Sequence, residues 1–195
     1  MEYTRRVKRL FQTARELQDF GPVLRRYFVI GAFDGALTVL GFLFGAFAAG
    51  ELTSRLVIAA GVSGGVALAV SSFVGAYEAE RVERKVSLLR LKKSMLKEPH
   101  PDYIKAVKLS AYIAATVHAV APLLAALVPI IPFFLTPDVR YAMPVSIAIT
   151  LSFLFLMGAY MGSYARELIV YSGLRFVVAG LLTAIIIYLV GRTGV

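Results

Sequence analysis

The sequence predicts an all-α polytopic membrane protein with five transmembrane helices, in which helix two extends into the cytoplasm. Hydrophobic residues make up 58% of its 195 residues, above the roughly 45–50% of soluble domains. Charged residues make up only 17%, yet the net charge is +9, so the charges must be segregated from the apolar segments. Five apolar stretches also approach or exceed the length that crosses a bilayer. These observations exclude a soluble globular enzyme and a disordered chain.

The five apolar stretches are predicted to be helices, because a segment in lipid must satisfy its own backbone hydrogen bonds. The first stretch contains one charged residue, Asp34, and the other four contain none. A transmembrane β-barrel would instead show short segments of alternating polar and apolar residues. The predicted spans are residues 27–49, 56–77, 109–135, 141–165 and 176–190.

The chain is predicted to form one membrane domain with four successive parts. Residues 1–26 form a cytoplasmic amphipathic segment, because their apolar residues recur at helical spacing among charges. Residues 27–77 hold transmembrane helices one and two. Residues 78–105 form a cytoplasmic helical extension, since no Gly or Pro interrupts the stretch 78–97. Residues 106–195 hold transmembrane helices three to five.

The distribution of basic residues predicts the orientation. Eighteen of the 21 Lys and Arg residues lie in the N-terminal segment, in residues 78–108 and in the link between helices four and five. The positive-inside rule therefore places the N-terminus in the cytoplasm and the C-terminus outside. Because these residues border membrane spans, membrane lipid is the expected partner and nucleic acid is not. The short extension and the lack of a targeting signal favour a prokaryotic plasma membrane.

The motifs that usually mark enzymes give no support to an enzymatic function. The chain has no Cys, which excludes a disulfide, a thiolate metal site and a Cys nucleophile. It contains no P-loop, Rossmann or His-Glu-x-x-His motif. We therefore expect neither catalysis nor ATP-driven pumping.

Asp34 is the first candidate for an ion path. It lies in Gly31-Ala-Phe-Asp34-Gly35, well inside a predicted span, where a carboxylate costs roughly 2.5–3.5 kcal/mol and should face protein or water. It shares a helix face with Thr38, Gly41 and Gly45, and the step from Gly41 to Gly45 permits close helix packing. A cation or proton site is favoured over a structural Asp hydrogen-bonded to Thr38.

Four further residues could supply ligands inside the membrane. Ser72 could offer an oxygen, although the small residues around it favour helix packing. His118 could bind metal or shuttle protons, but a packed core histidine is favoured. Met157 and Met161 lie one turn apart and could offer thioethers to a soft or borderline metal. Two methionines in an apolar helix are nevertheless favoured as packing residues.

Three carboxylates at the start of the extension could load a divalent cation from the cytosol. They are Glu78, Glu80 and Glu83, and hard or borderline cations favour such oxygen ligands. The interpretation as solvated charge is favoured, because Glu80 and Arg84 form an ordinary i,i+4 pair and other basic residues lie among these acids.

Several motifs resemble the vacuolar iron transporter family. Gly31-Ala-Phe-Asp34-Gly35 resembles its Gly-Ala-x-Asp-Gly opening, and residues 66–77 resemble its second helix, which closes in Gly-Glu-Tyr. The order and spacing of the motifs cover most of residues 27–192. The later ones are Pro129-x-x-Pro132, Pro144-Val-Ser146-Ile-Ala-Ile-Thr150, Ser172-Gly173-Leu-Arg175 and Tyr188-Leu-Val-Gly191-Arg192.

The resemblance implies a homodimer whose first helices line an ion path at the two-fold axis. Divalent metal, Fe²⁺ or Mn²⁺, would be the substrate and would leave the cytosol by antiport against protons. Asp34 would be a translocation ligand, and the extension of helix two would collect metal. No permanently bound cofactor is expected.

The sequence departs from the family pattern where thioether ligands are usual. Val70 and Ser72 stand at the positions of the family's methionines, and Ala76 replaces the Glu of Gly-Glu-Tyr. Asp34 with Ser72 would form a harder site that favours Mn²⁺, Mg²⁺ or protons over iron. The alternative function is a non-transporting membrane scaffold or lipid-interacting protein on the same fold, which the missing ligands and the basic face favour.

Overall fold

The computed structural model describes residues 20–95 and 101–193, which form five α-helices. Each helix is long and apolar enough to cross a membrane. The prediction of an all-α chain with five helices of membrane-spanning length and composition is therefore confirmed for these residues. The helices are α1 Phe20–Ala48, α2 Ser54–Met95, α3 Pro101–Leu135, α4 Val139–Ala165 and α5 Ile169–Arg192.

Helix α2 is one continuous helix of 42 residues, so the segment after the second predicted span is helical as far as Met95. Its location in the cytoplasm remains a prediction. Residues 101–105 were predicted to belong to this extension, but they form the first turn of α3. Most of the predicted amphipathic segment 1–26 lies outside the described residues, and its residues 20–26 are the first turns of α1.

The described residues form two compact units. The first unit contains residues 20–28, 70–95 and 101–119, and the second contains residues 29–69 and 120–193. In the first unit, α2 and α3 pack through an aromatic contact between Phe73 and Tyr112, whose ring centroids lie 5.6 Å apart. The small side chains of Ala106 and Ala114 are fully buried in α3.

The second unit packs through small residues, which lets helix backbones approach closely. Around Leu154 of α4 lies a cluster of small α1 and α3 residues, including Ala32, Ala36 and Ala125. Where α1 crosses α3, a Cβ atom at Gly35 would collide with the backbone of Pro122. Only glycine therefore fits at this crossing.

Helices α4 and α5 approach each other in the same way. A Cβ atom at Gly158 would lie 2.5 Å from the carbonyl oxygen of Ser172, and one at Gly162 would lie 2.6 Å from the Ser172 Cβ. The turn between the helices begins at Arg166, whose φ of 55° is left-handed and whose amide donates to the Gly162 carbonyl. The small residues of this motif are thus required by helix packing.

The three prolines of α3 do not end the helix, which continues through Pro122, Pro129 and Pro132 to Leu135. Neighbouring side chains supply polar contacts to this interrupted backbone. The buried Ser146 hydroxyl of α4 donates to the carbonyl oxygen of Pro129 over 2.6 Å. This contact ties α4 to the proline-containing part of α3.

Candidate functional site

Asp34 is exposed on α1, although its neighbours Gly31, Ala32, Gly35 and Ala36 are all buried. It takes part in a polar interaction within the protein. Its position is set by local packing, because the adjacent Gly35 holds the α1 backbone against α3. The structure therefore presents a carboxylate at the protomer surface beside a tight helix crossing.

Thr38, one turn after Asp34, lines an open and largely apolar groove of about 630 Å³ in the second unit. The groove is formed by α1, by Leu56 and Ala60 of α2, and by Thr183 and Ile187 of α5. It therefore continues the face of α1 that carries Asp34.

Gly41 and Gly45 form the close-packing step that the sequence indicates, and they face α5 of the same protomer. A Cβ atom at Gly41 would lie 2.6 Å from the Ile187 Cδ1, and one at Gly45 would lie 3.5 Å from its Cγ2. Helix α5 runs in the same direction as α1, since Phe33 contacts Phe176, whereas Ala48, later on α1, lies beside Gly191, later on α5. These glycines thus serve packing within the protomer.

The other predicted membrane ligands are distributed over both units. Ser72 is half-buried and belongs to the first unit, whereas Asp34 and Thr38 belong to the second. Met157 packs against the buried cluster around Leu154, which supports the interpretation as a packing residue. Met161 is half-buried on the same helix.

The three carboxylates at the start of the predicted extension have different environments. Glu78 is exposed and pairs with Arg81 over 2.6 Å, and Glu83 is exposed. Glu80 pairs with Arg84 over 3.0 Å, as the spacing predicts, but it is only 7% exposed. The interpretation of Glu80 as solvated charge is therefore wrong, because neighbouring helices cover this pair.

His118 contacts the first turns of α1. Its Nδ1 lies 3.0 Å from the carbonyl oxygen of Tyr27, and the two rings lie 4.8 Å apart. A carbonyl oxygen only accepts, so the imidazole donates through Nδ1 and, when neutral, keeps its lone pair on Nε2. The Tyr27 hydroxyl also interacts electrostatically with the Glu80 carboxylate.

This group of polar residues was missed by the sequence reasoning, which treated His118 and Glu80 separately. The one available signal was the i,i+4 spacing of Glu80 and Arg84. Nothing in the local sequence connects them with Tyr27 or His118, which lie on other helices.

Two observations bear on the chemistry that the chain can perform. Among residues 20–95 and 101–193, no three His, Asp or Glu side chains come together as a metal site. Gly61-Val-Ser63-Gly-Gly65 matches the letters of a Gly-x-Ser-x-Gly nucleophile motif. It lies inside α2, however, and the Ser63 hydroxyl donates to the Ala59 carbonyl over 2.7 Å. The strained strand-to-helix turn that this motif needs is therefore not formed.

Comparison with known proteins identifies the family. A profile of the VIT family matches residues 25–97 and 88–192, which together cover most of the chain. The chain belongs to the VIT family. It is also 33% identical over 178 residues to an uncharacterized protein, MJ0645, of Methanocaldococcus jannaschii, covering 86% of this chain and 88% of that protein. The resemblance that the motifs indicate is confirmed.

Membership of the VIT family indicates membrane metal transport, and it fits a protein that is not an enzyme. The five apolar helices agree with an integral membrane protein. The family match spans both units, because it includes Asp34, Ser72 and the proline-containing part of α3.

Proposed function

We propose that this VIT-family protein moves divalent metal, Fe²⁺ or Mn²⁺, out of the cytosol in exchange for protons, through a path at the interface of a homodimer. The observation that carries this proposal is the position of Asp34. Its carboxylate is exposed on a helix that is long and apolar enough to span a membrane. Such a group is costly in contact with lipid tails.

A second copy of the chain is the partner that best fits the face of α1 that carries Asp34. Asp34 and Thr38 lie on one face of α1, and the groove beside them is largely apolar. A two-fold axis along this face would bring two copies of Asp34 together, because the same patch then meets itself. Paired carboxylates provide oxygen ligands for a divalent cation and a group that can exchange protons.

The metal preference follows from the kinds of ligand that the helices carry. Asp34, Thr38 and Ser72 would supply oxygen, and oxygen ligands suit Mn²⁺ and other hard cations. Met157, the nearest candidate for a thioether ligand in the second unit, is engaged in packing. We therefore expect Mn²⁺ to be moved at least as well as Fe²⁺.

Flux measurements in proteoliposomes test this proposal. Wild-type protein should move Mn²⁺ and Fe²⁺ when a pH gradient is imposed, and Asp34→Asn should lower both fluxes to the level of empty liposomes. Glu51→Gln is the matched control, because Glu51 is an exposed carboxylate in the turn after α1. Full flux in Asp34→Asn, or no flux of either metal in folded wild-type protein, would overturn the proposal.

The scaffold or lipid-interacting function is the second candidate, and one observation favours it. Glu78 and Glu80 are both held in ion pairs, so two of the three possible loading carboxylates are engaged. This function predicts that purified protein binds no Mn²⁺ in a calorimetric titration. It also predicts that Asp34→Asn behaves like wild type.

A further inference from the structure

Four polar side chains of the first unit form a group that links α1, α2 and α3. The Tyr27 hydroxyl of α1 interacts electrostatically with the Glu80 carboxylate of α2, and Glu80 pairs with Arg84 over 3.0 Å. His118 of α3 contacts the carbonyl oxygen of Tyr27 over 3.0 Å. We call these four residues the polar cluster.

Tyr27 holds the polar cluster together, because it contacts both neighbouring helices with different groups. Its hydroxyl meets α2, its backbone carbonyl meets α3, and its ring lies 4.8 Å from the His118 ring. The guanidinium of Arg26 lies 5.4 Å from the centre of the same ring. Tyr27 therefore links the first turns of α1 to both α2 and α3.

The ion pair at the centre of the polar cluster is withdrawn from solvent. The side chains of Glu80 and Arg84 are only 8% and 16% exposed. The Arg84 Nε is buried and has no hydrogen-bond partner among the described residues. A buried ion pair is weak support for stability, and a buried donor without a partner opposes it. The polar cluster is thus poorly explained as a device for stability alone.

The chemistry of these contacts differs from the packing of the second unit. There, Gly35 and Gly158 allow backbones to meet without intervening side chains, and such contacts leave no room for rearrangement. Polar contacts behave differently, because a donor or acceptor can exchange one partner for another, and the Arg84 Nε is a donor without a hydrogen-bond partner among the described residues. The polar cluster is therefore the attachment that could open and close at low cost in free energy.

We propose that the polar cluster is a latch that holds the first turns of α1 against α2 and α3 and releases them during the transport cycle. Its role in transport rests on the proposed function. The attachment itself does not, since it follows from the contacts of Tyr27. Removing the interaction of the Tyr27 hydroxyl with Glu80 should favour the released arrangement.

Distance measurements between two spin labels test the latch without requiring transport. The chain has no Cys, so cysteines at two chosen positions are the only labelling sites. Gly21 of α1 has open space around its Cβ position, and Lys85 of α2 is exposed. Labels at Gly21→Cys and Lys85→Cys, in protein diluted with unlabelled protein, report the distance between α1 and α2 within one protomer.

Tyr27→Phe removes the hydroxyl and keeps the ring. It should roughly double the width of the distance distribution, because a second arrangement of α1 becomes populated. Glu80→Gln should broaden the distance distribution as well. This variant provides the test if Tyr27→Phe does not fold. Tyr112→Phe is the matched control, because it also removes a hydroxyl and keeps the ring, which packs on Phe73 and does not belong to the polar cluster. Distributions in Tyr27→Phe and Glu80→Gln that equal that of Tyr112→Phe would overturn the latch.

Measurements of Mn²⁺ flux distinguish the latch from the proposed transport function. If the latch acts in transport, Tyr27→Phe should change the initial Mn²⁺ flux by at least about twofold while its melting temperature stays near that of Tyr112→Phe, as expected for a shifted population. Broader distances in a chain that moves no metal would support the latch and contradict the proposed function. Unchanged distances and flux in Tyr27→Phe, with active wild-type protein, would contradict the latch and leave the proposed function standing.

Discussion

The hydroxyl of Ser146 donates a hydrogen bond of 2.6 Å to the carbonyl oxygen of Pro129, and Ser146 is completely buried. This contact ties α4 to α3 in the part of α3 that contains its prolines. The Thr150 hydroxyl, one turn later, donates to the Ser146 carbonyl within α4. The motif residues around Ser146 thus have a structural role.

Ser146→Ala should therefore destabilise the protein by about 0.6 kcal/mol, and by at most about 1.7 kcal/mol, which are the average and the maximum measured for side-chain hydrogen bonds between membrane helices. Unfolding in detergent mixtures gives this value. Ser152→Ala is the control, because the Ser152 hydroxyl is exposed and bonds only within its own helix. Equal stabilities of the two variants would contradict the assigned role.

Gly35→Ala should be far more damaging than an ordinary helix substitution. The new Cβ would meet the Pro122 backbone, which cannot move away as a side chain would. We expect a loss of about 3 kcal/mol or more, at or above the upper end for overpacked cores. Gly75→Ala, where the added atom meets nothing within 4 Å, should be neutral or stabilising by up to about 1 kcal/mol. Thermal unfolding of the two variants checks this contrast.

Thr38→Cys should form a covalent dimer with a short thiol-specific cross-linker, because the proposed interface brings this face of α1 against its copy. The native chain offers no other thiol. Leu156→Cys provides the comparison, since Leu156 is exposed on α4 and lies outside the proposed interface. Dimer bands from both variants in equal amount, or from Leu156→Cys alone, would exclude an interface along α1. Gel electrophoresis after cross-linking in membranes is the measurement.

Ser72→Met should raise the ratio of Fe²⁺ to Mn²⁺ flux several-fold, because it adds a thioether where the family carries methionine. Ser71→Met places the same side chain on the adjacent, exposed position and should leave the ratio unchanged. Competition between the two metals in proteoliposomes measures the ratio. An equal ratio in wild type and Ser72→Met would remove Ser72 from the proposed path.

The five helices could be predicted because lipid leaves few alternatives for a long uncharged segment. The ends of the helices could not be predicted, because charged residues mark where a helix leaves the membrane and not where its backbone hydrogen bonds end. Arg175 suggested that the fifth span starts at 176, yet α5 begins at Ile169. Arg175 is accommodated within the helix by Glu167, 3.3 Å away, and by the ring of Tyr171.

The candidate site was predictable only in part, for a related reason. Asp34 stands out in any reading because it is a single charge in an apolar span. Glu80 interacts with Tyr27, and Tyr27 in turn contacts His118, and these residues are far apart in the sequence. Contacts between distant helices leave no periodic signal. The packing of α5 against Gly41 and Gly45 could not be predicted from the sequence for the same reason.

The length of α2 has a mechanical consequence. Its 42 residues form a rod of about 63 Å, roughly twice the 30 Å thickness of the hydrocarbon layer. About half of this rod must therefore lie beyond that layer. If α2 tilts as one rod, a tilt of about 10° in the embedded half would displace the far end by about 5 Å. The protruding half would then act as a lever arm that converts small tilts in the bilayer into larger movements outside it.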